Sequence, residues 1–189
     1  KKIIIGISGA SGGIYAVRML EMMRAMDDVE THLVVSPAGW MNIDVEMDID
    51  RKTLHGLADY VYKDSEIGAT IASGSFRTDG MLVAPCSAKT LANIANGNGG
   101  TLISRAADVC LKERRRLVMM VRETPLHLGH IRNMALATEI GAIIAPAMPA
   151  FYSKPKTIDD LVDDTAASML NGFGLDVKKY LKPWPGMKD

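Results

Sequence analysis

Apolar residues gather in five short runs: Ile3 to Ile7, Val29 to Val35, Gly80 to Ala84, Arg116 to Val121 and Gly141 to Ala145. Each is rich in Ile, Val or Leu over most of its length and stops at a turn or polar cluster, the pattern of strands buried on both faces. Between the runs the period becomes helical, with Val17, Leu20, Met23 and Met26 apolar in Tyr15 to Met26 and Leu91, Ile94 and Ala95 in Lys89 to Asn96. Strand and helix in alternation predict an α/β chain with a parallel sheet. A last helix is expected from an N-cap at Thr157, with Asp159 and Asp160 in the first turn to suit the helix dipole, towards Leu170, with Gly172 or Gly174 ending it. Beyond it, Pro183, Trp184 and Pro185 belong to a tail of about 175–189 that is not helical, and the large indole is expected to pack, on a neighbouring subunit.

Composition narrows the picture. A chain of 189 residues without a Gly-Ser or Pro-rich linker is expected to form one domain, 1–189. Apolar residues make up 48%, enough for a well-buried core, while 22 basic and 22 acidic residues cancel, which speaks against a nucleic-acid or acidic-lipid surface. Lys1 and Lys2 precede too short an apolar run for a signal peptide, and no stretch approaches the roughly 18 apolar residues of a membrane span. The expectation is a soluble, cytoplasmic protein, with Cys86 and Cys110 as free buried thiols. The four histidines lack partners at ligand spacing, so no metal is expected. Asp48 to Lys52 and the Asp159–Asp160 pair read as turn and helix-start residues, and Met19, Met22, Met23 and Met26 as core or subunit-contact filler.

Candidate chemistry begins at GISGASGGIY, Gly6 to Tyr15, where the first strand must turn into the first helix. Glycines there allow positive dihedrals and bring amides close to a ligand, and a helix N-terminus adds partial positive charge, so the turn reads as an anion site, most often for phosphate. A tight turn needed only for packing explains the same glycines. The spacing Gly6, Gly9, Gly12, Gly13 is not G-x-G-x-x-G and no P-loop lysine follows, which points to a mononucleotide rather than NAD or ATP. Other polar groups fall at the ends of the next strands, where ligands of parallel sheets bind. Ser36 and Pro37 follow the second, Cys86, Ser87, Lys89 and Thr90 the third, and Arg122, Glu123, Thr124 and Pro125 the fourth. A guanidinium there can grip phosphate and the adjacent carboxylate can move a proton, although caps and a surface ion pair account for each motif singly. His127 and His130 read as caps of a following helix.

The segments GISGASG, ASGSF, PCSAKT, RAADVCLKERR, VRETPLHL and PAMPAFY resemble the flavin prenyltransferase family, the UbiX and Pad-type proteins associated with phenolic acid decarboxylases, from Lys2 to about Leu170. The resemblance implies a Rossmann-like (flavodoxin-like) three-layer αβα fold, an FMN site, and a homo-oligomer, typically a dodecamer, with active sites at subunit interfaces. The implied reaction joins the dimethylallyl group of dimethylallyl phosphate to N5 and C6 of reduced FMN without a metal, and the prenylated FMN serves UbiD-type decarboxylases in ubiquinone synthesis or aromatic acid degradation.

By position, Gly9, Ala10 and Ser11, then Ser36, then Ser87, Ala88, Lys89 and Thr90, then Arg122, correspond to FMN-binding residues. Ser11 and Glu46 resemble the polar pair near the flavin N5, and Glu123 the acid that protonates the departing phosphate. Lys112, Arg122 and Tyr152 match groups that hold dimethylallyl phosphate, with Arg105 a further contributor. Where relatives carry another basic residue for that phosphate this chain has Ser168, so one charge-assisted contact, about 1.5–3 kcal/mol, is missing. Lys154 or Lys156 can substitute, or the donor can be a pyrophosphate. Trp40 and Met41 stand where relatives often have small or polar residues. Other readings are an FMN-binding accessory subunit with little turnover and an FMN-dependent cysteine decarboxylase. The latter usually shows PxMN, where this chain has Pro149 in the asparagine place; a flavodoxin-like electron carrier lacks its acidic docking face here. The Ala72 to Phe76 loop is expected to be flexible and to close as a lid.

Overall fold

Residues of the first apolar run face two cores alternately, and this sets the architecture. In a computed structural model that describes residues 1–181, 184, 186 and 187, strand β1 (Lys2–Ile7) sends Ile3, Ile5 and Ile7 to one side of the sheet and Ile4 to the other. Strands β2 (Glu30–Val35), β4 (Gly80–Cys86) and β5 (Arg116–Val121) alternate likewise, which is why they read as unbroken apolar runs. With the edge strands β3 (Tyr60–Lys63) and β6 (Ile143–Ile144) they form one sheet in the order β3-β2-β1-β4-β5-β6, every neighbouring pair parallel.

Helices cover both faces, giving the three-layer α/β fold that the alternation predicts. Helices α1 (Gly13–Arg24) and α7 (Ile158–Asn171) pack together over the Ile3–Ile5–Ile7 side, and Met19, Met22 and Met23 fill that core. Helices α4 (Ala88–Ala95), α5 (Leu102–Lys112) and α6 (Leu128–Glu139) cover the other side, with Cys110 inside α5. Helices α2 (Pro37–Glu46) and α3 (Arg51–His55) follow β2 at its carboxyl end, and Asp50 caps α3. Thr157 is the N-cap of α7 in a reciprocal capping box with Asp160.

One expectation needs correction, and two other segments are seen to pack within their own protomer. The fifth run shrinks to Ile143–Ile144, because it lies at the sheet's edge beside β5 alone. The start of the tail packs on its own protomer: Leu175 and Val177 are buried in its core and Tyr180 lies under Arg18, its ring centre 5.5 Å from the guanidinium, because the chain turns back over α1 and α7. Further on, Trp184 meets Tyr152 edge-on at 5.5 Å and stays 55% exposed; Pro183 and Pro185 lie outside the described residues. The Ala72 to Phe76 loop is held to its own protomer at two carbonyls. The Arg115 guanidinium donates to the carbonyls of Gly74 and Phe76 at 2.6 and 2.8 Å, at the end of α5 where Lys112 and Glu113 approach Gly74.

Candidate active site

The order of the strands reverses between β1 and β4, and in open parallel sheets the crevice at such a switch point takes the ligand. Three turns meet there. Buried Ser8, just beyond β1, donates to the Pro85 carbonyl at 3.0 Å and accepts the Ser87 amide at 2.8 Å, so the ends of β1 and β4 are stitched together. The Arg122 amide donates to the Cys86 carbonyl at 3.0 Å, adding the end of β5. Ser36 and Ser87 then cap α2 and α4, accepting the amides of Gly39 and Thr90 at 3.0 and 3.2 Å.

A cleft of about 420 Å³ opens between these caps, with Gly9, Ser36, Ser87, Lys89 and Thr90 among its lining. Gly9 is required by contact: a Cβ there would lie 2.4 Å from the Ala38 Cβ in the first turn of α2. Sharing Gly9 and Ser87, a second cavity of about 260 Å³ adds Ala10, Ser11, Glu46, Arg122 and Glu123. The Arg122 and Glu123 side chains do not pair; the Glu123 carboxylate accepts the Thr124 amide at 3.0 Å, and Arg122 forms no ion pair among the described residues. The guanidinium is thus free for an anionic ligand.

One part of the turn serves differently from its reading in sequence. Gly12, left-handed at φ 107°, caps α1, and its amide donates to the Glu46 carboxylate at 2.8 Å. The amide at the start of α1 therefore holds a carboxylate of the protein itself beside Ser11.

Four sequence candidates lie elsewhere in the protomer. Arg105 pairs with Asp108 at 2.6 Å on α5, and Lys112 pairs with Glu113 beside Gly74 at that helix's far end. Tyr152, half exposed, meets Trp184, and Ser168 is exposed on α7. Conversely, Asn42 lines the smaller cavity, and Asp64, Ser65, Asn93, Thr101 and Ser104 line the cleft. Asp64 follows the weakly patterned strand β3; its carboxylate accepts the Ile103 amide at 3.0 Å and its carbonyl accepts Leu102 N at 2.8 Å, fixing the start of α5 beside the cleft.

Neither cysteine is poised to react. Burial pushes the Cys86 thiol far above its ordinary value and the Cys110 thiol up to about 11, so both are protonated at neutral pH.

A family model described as Flavoprotein matches residues 1–170. The flavin prenyltransferase UbiX of Neisseria meningitidis serogroup B is 54% identical over 189 residues, covering 100% of this chain and 99% of the relative. The chain belongs to the UbiX flavin prenyltransferase family. A UbiX-family crystal structure, AnUbiX (PadA1) in complex with FMN and dimethylallyl pyrophosphate, superposes with a TM-score of 0.96 at 45% identity, covering 100% of this chain and 99% of its own. A second, the dodecameric FMN-dependent UbiX-like decarboxylase from Escherichia coli O157:H7, gives 0.95 at 45% identity, covering 98% and 100%. The fold is thus that of UbiX proteins, Rossmann-like with its ligand edge at the switch point.

Proposed function

We propose that this chain transfers the dimethylallyl group of dimethylallyl phosphate to N5 and C6 of reduced FMN, releasing phosphate and yielding prenylated FMN. The observation that carries the reading is the gathering of Ser11, Glu46, Arg122 and Glu123 in one cavity that shares Gly9 and Ser87 with the larger cleft, in a chain of the UbiX family. The residues fit the cofactor: two capped helix starts, Lys89 and Thr90 suit its phosphate, and the Gly9 turn leaves room for its body. Reduced FMN supplies the electron-rich N5 and C6 that the allyl carbon must meet before water does.

The protein's part is electrostatic and acid–base. Arg122 stabilises the leaving dianion, so the C–O bond of the allylic phosphate can ionise. Glu123, adjacent in the chain, protonates the departing phosphate. Glu46, fixed by the Gly12 amide, and Ser11 would receive the proton released at N5; the second bond, at C6, would use up the allyl double bond, which gains a proton as C6 loses one. Lys112, Arg105 and Tyr152 complete the phosphate site from neighbouring subunits of a homododecamer. Exposed Met41, Val45, Leu126 and Leu128, beside the cavity-lining segments, suit such contacts. Ser168 leaves that phosphate one cation short, which Lys154 or Lys156 can offset.

In this reading residues 1–189 act as one flavoprotein unit and the product passes to a UbiD-type decarboxylase. Two free thiols suit a cytoplasmic setting; no described helix is long and apolar enough to cross a membrane.

Anaerobic incubation with reduced FMN and dimethylallyl phosphate, followed by mass analysis of the extracted flavin, tests the proposal, with the pyrophosphate run in parallel. The expected result is a gain of one five-carbon unit with the monophosphate. A gain only with pyrophosphate reassigns the donor and makes Ser168 its determinant. No gain with either, despite FMN binding, overturns the transferase in favour of a flavin carrier.

A further inference from the structure

A third cavity, about 620 Å³, lies beside the flavin cleft and shares Pro37, Asp64 and Ser65 with it. Helices α2 and α3 and the end of β3 supply its walls, including Trp40, Arg51, His55, Tyr62 and Lys63. The three cavities are therefore in series along the carboxyl edge of the sheet. The first holds Glu46, Arg122 and Glu123, the second the capped helix starts, and the third the side of β2 and β3. A flavin whose reacting ring faces Glu46 and Arg122 points its phosphate towards the third cavity.

The walls of that cavity have a definite chemistry. The Arg51 guanidinium lies over the Trp40 indole at 4.9 Å, and the His55 ring meets the same indole edge-on at 5.4 Å. Among the described residues neither Arg51 nor Lys63 has a carboxylate partner. Two acids line the same cavity and keep their charge, each turned to a backbone amide: the Asp64 carboxylate accepts the Ile103 amide, and Glu66 accepts the Lys63 amide, both at 3.0 Å. Two unpaired cations, an indole and an imidazole around one cavity match a ligand that combines an aromatic ring with an anion. The volume lies within the roughly 300–1,000 Å³ of small-molecule sites.

Topology narrows the ligand further. A sheet in the order 3-2-1-4-5-6 consists of two mononucleotide-binding halves, and dinucleotides lie across both. Here the flavin cleft occupies the switch point, and the third cavity is at the carboxyl end of the β2–β3 half.

We propose that the Trp40–Arg51–Lys63 cavity is an adenylate subsite, in which the Trp40–Arg51 pair packs on the base and Lys63 holds its phosphate. The adenylate comes either as the AMP half of FAD, whose flavin half fills the cleft, or as a free adenine nucleotide bound beside FMN. The FAD arm rests on the flavin reading of the cleft; the free-nucleotide arm does not.

Calorimetric titration of the assembled protein tests this, with AMP added to the FMN-loaded form and to the flavin-free form, and with FAD and FMN each added to the flavin-free form. AMP is expected to saturate, and Arg51→Gln and Trp40→Leu each weaken it about tenfold or more while prenyl transfer to FMN by Arg51→Gln is unchanged. FAD binding tighter than FMN, with the excess lost in Arg51→Gln, assigns the subsite to the AMP half of FAD. AMP binding alongside FMN, with FAD no tighter than FMN, assigns it to a free nucleotide. Failure of AMP to saturate together with FAD no tighter than FMN overturns the subsite, as does AMP binding that is indifferent to both substitutions. Failure of FMN itself to bind strikes the flavin reading instead and leaves the AMP titration as the test of the cavity.

Discussion

Single atoms decide whether the site can form. A methyl group on residue 9 would stand 2.4 Å from the Ala38 Cβ, and the neighbour is a short side chain in a helix's first turn that has no rotamer to escape into. Gly9→Ala must therefore move the start of α2, and with it the Ser36 cap. Overpacking of this kind costs about 1–3 kcal/mol. The expected outcome is a lower melting temperature together with weaker FMN binding by flavin titration; a variant that melts lower but binds FMN unchanged would separate the turn from the cleft. Glu123 offers the complementary case. Among the described residues its side chain accepts only the neighbouring Thr124 amide, a bond that glutamine keeps through its amide oxygen. Glu123→Gln should leave FMN affinity and stability near wild type and lower the turnover rate about 100- to 10,000-fold, the usual contribution of a positioned acid. Equal turnover of variant and wild type would remove Glu123 from the proton path.

Strands and helices differ in how much of themselves they announce. β1, β2, β4 and β5 are legible because both faces are buried, so apolar residues are continuous. β3 escapes notice because it is an edge strand with three of its four residues exposed. α2 has no apolar stripe, since only Gly39 and Ile43 are buried and it sits at the sheet's carboxyl edge rather than on a face; its Ser-Pro start alone marks it. The site residues that follow strands, Ser11, Ser36, Ser87 and Arg122, were legible for a topological reason: parallel strands deliver all their carboxyl ends to one edge. Asp64 was missed along with β3. Within β2, His32 carries a prediction. It is buried at 1% exposure, its Nε2 donates to Glu30 at 2.9 Å and its Nδ1 accepts from the Tyr62 hydroxyl at 3.0 Å, so the neutral ring is fully satisfied. Burial holds its pKa below the ordinary 6.5, outweighing the pull of Glu30 in the other direction. Below pH 6.5 the unfolded chain takes up a proton that the folded one declines, so stability falls as pH drops from there towards the folded pKa. Melting temperature should decline across that window, and His32→Gln should flatten the decline whatever its own stability; an equal slope in both proteins would discharge His32 from it.

At the scale of the whole molecule, the helix that carries Lys112 explains why that candidate is not gathered by one protomer. α5 starts at the cleft, where Asp64 fixes Leu102 and Ile103, and runs back to the amino end of β5. At about 1.5 Å per residue its last residue, Lys112, is about 15 Å from its first. Lys112 lies there beside Gly74, out of reach of Arg122 and Glu123 in the same chain. A sequence places residues in order and, through strand periodicity, at an edge, but a residue that acts on another subunit carries no mark of that in its own chain's pattern. If Lys112 serves a neighbour's phosphate site, Lys112→Ala and Glu123→Gln damage different subunits' contributions to one shared site. Each variant alone should be nearly inactive. Dissociated, mixed in equal amounts and reassembled, they should form sites that draw Lys112 from one variant and Glu123 from the other. With random assortment of two independent contributions, roughly a quarter of the sites are intact, and activity should recover to about that share of wild type. Recovery requires both the assembly and the crossing of the two residues between subunits. An inactive mixture whose assemblies are shown by native mass measurement to contain both variants would place Lys112 and Glu123 in the service of the same protomer, against the distance that α5 puts between them.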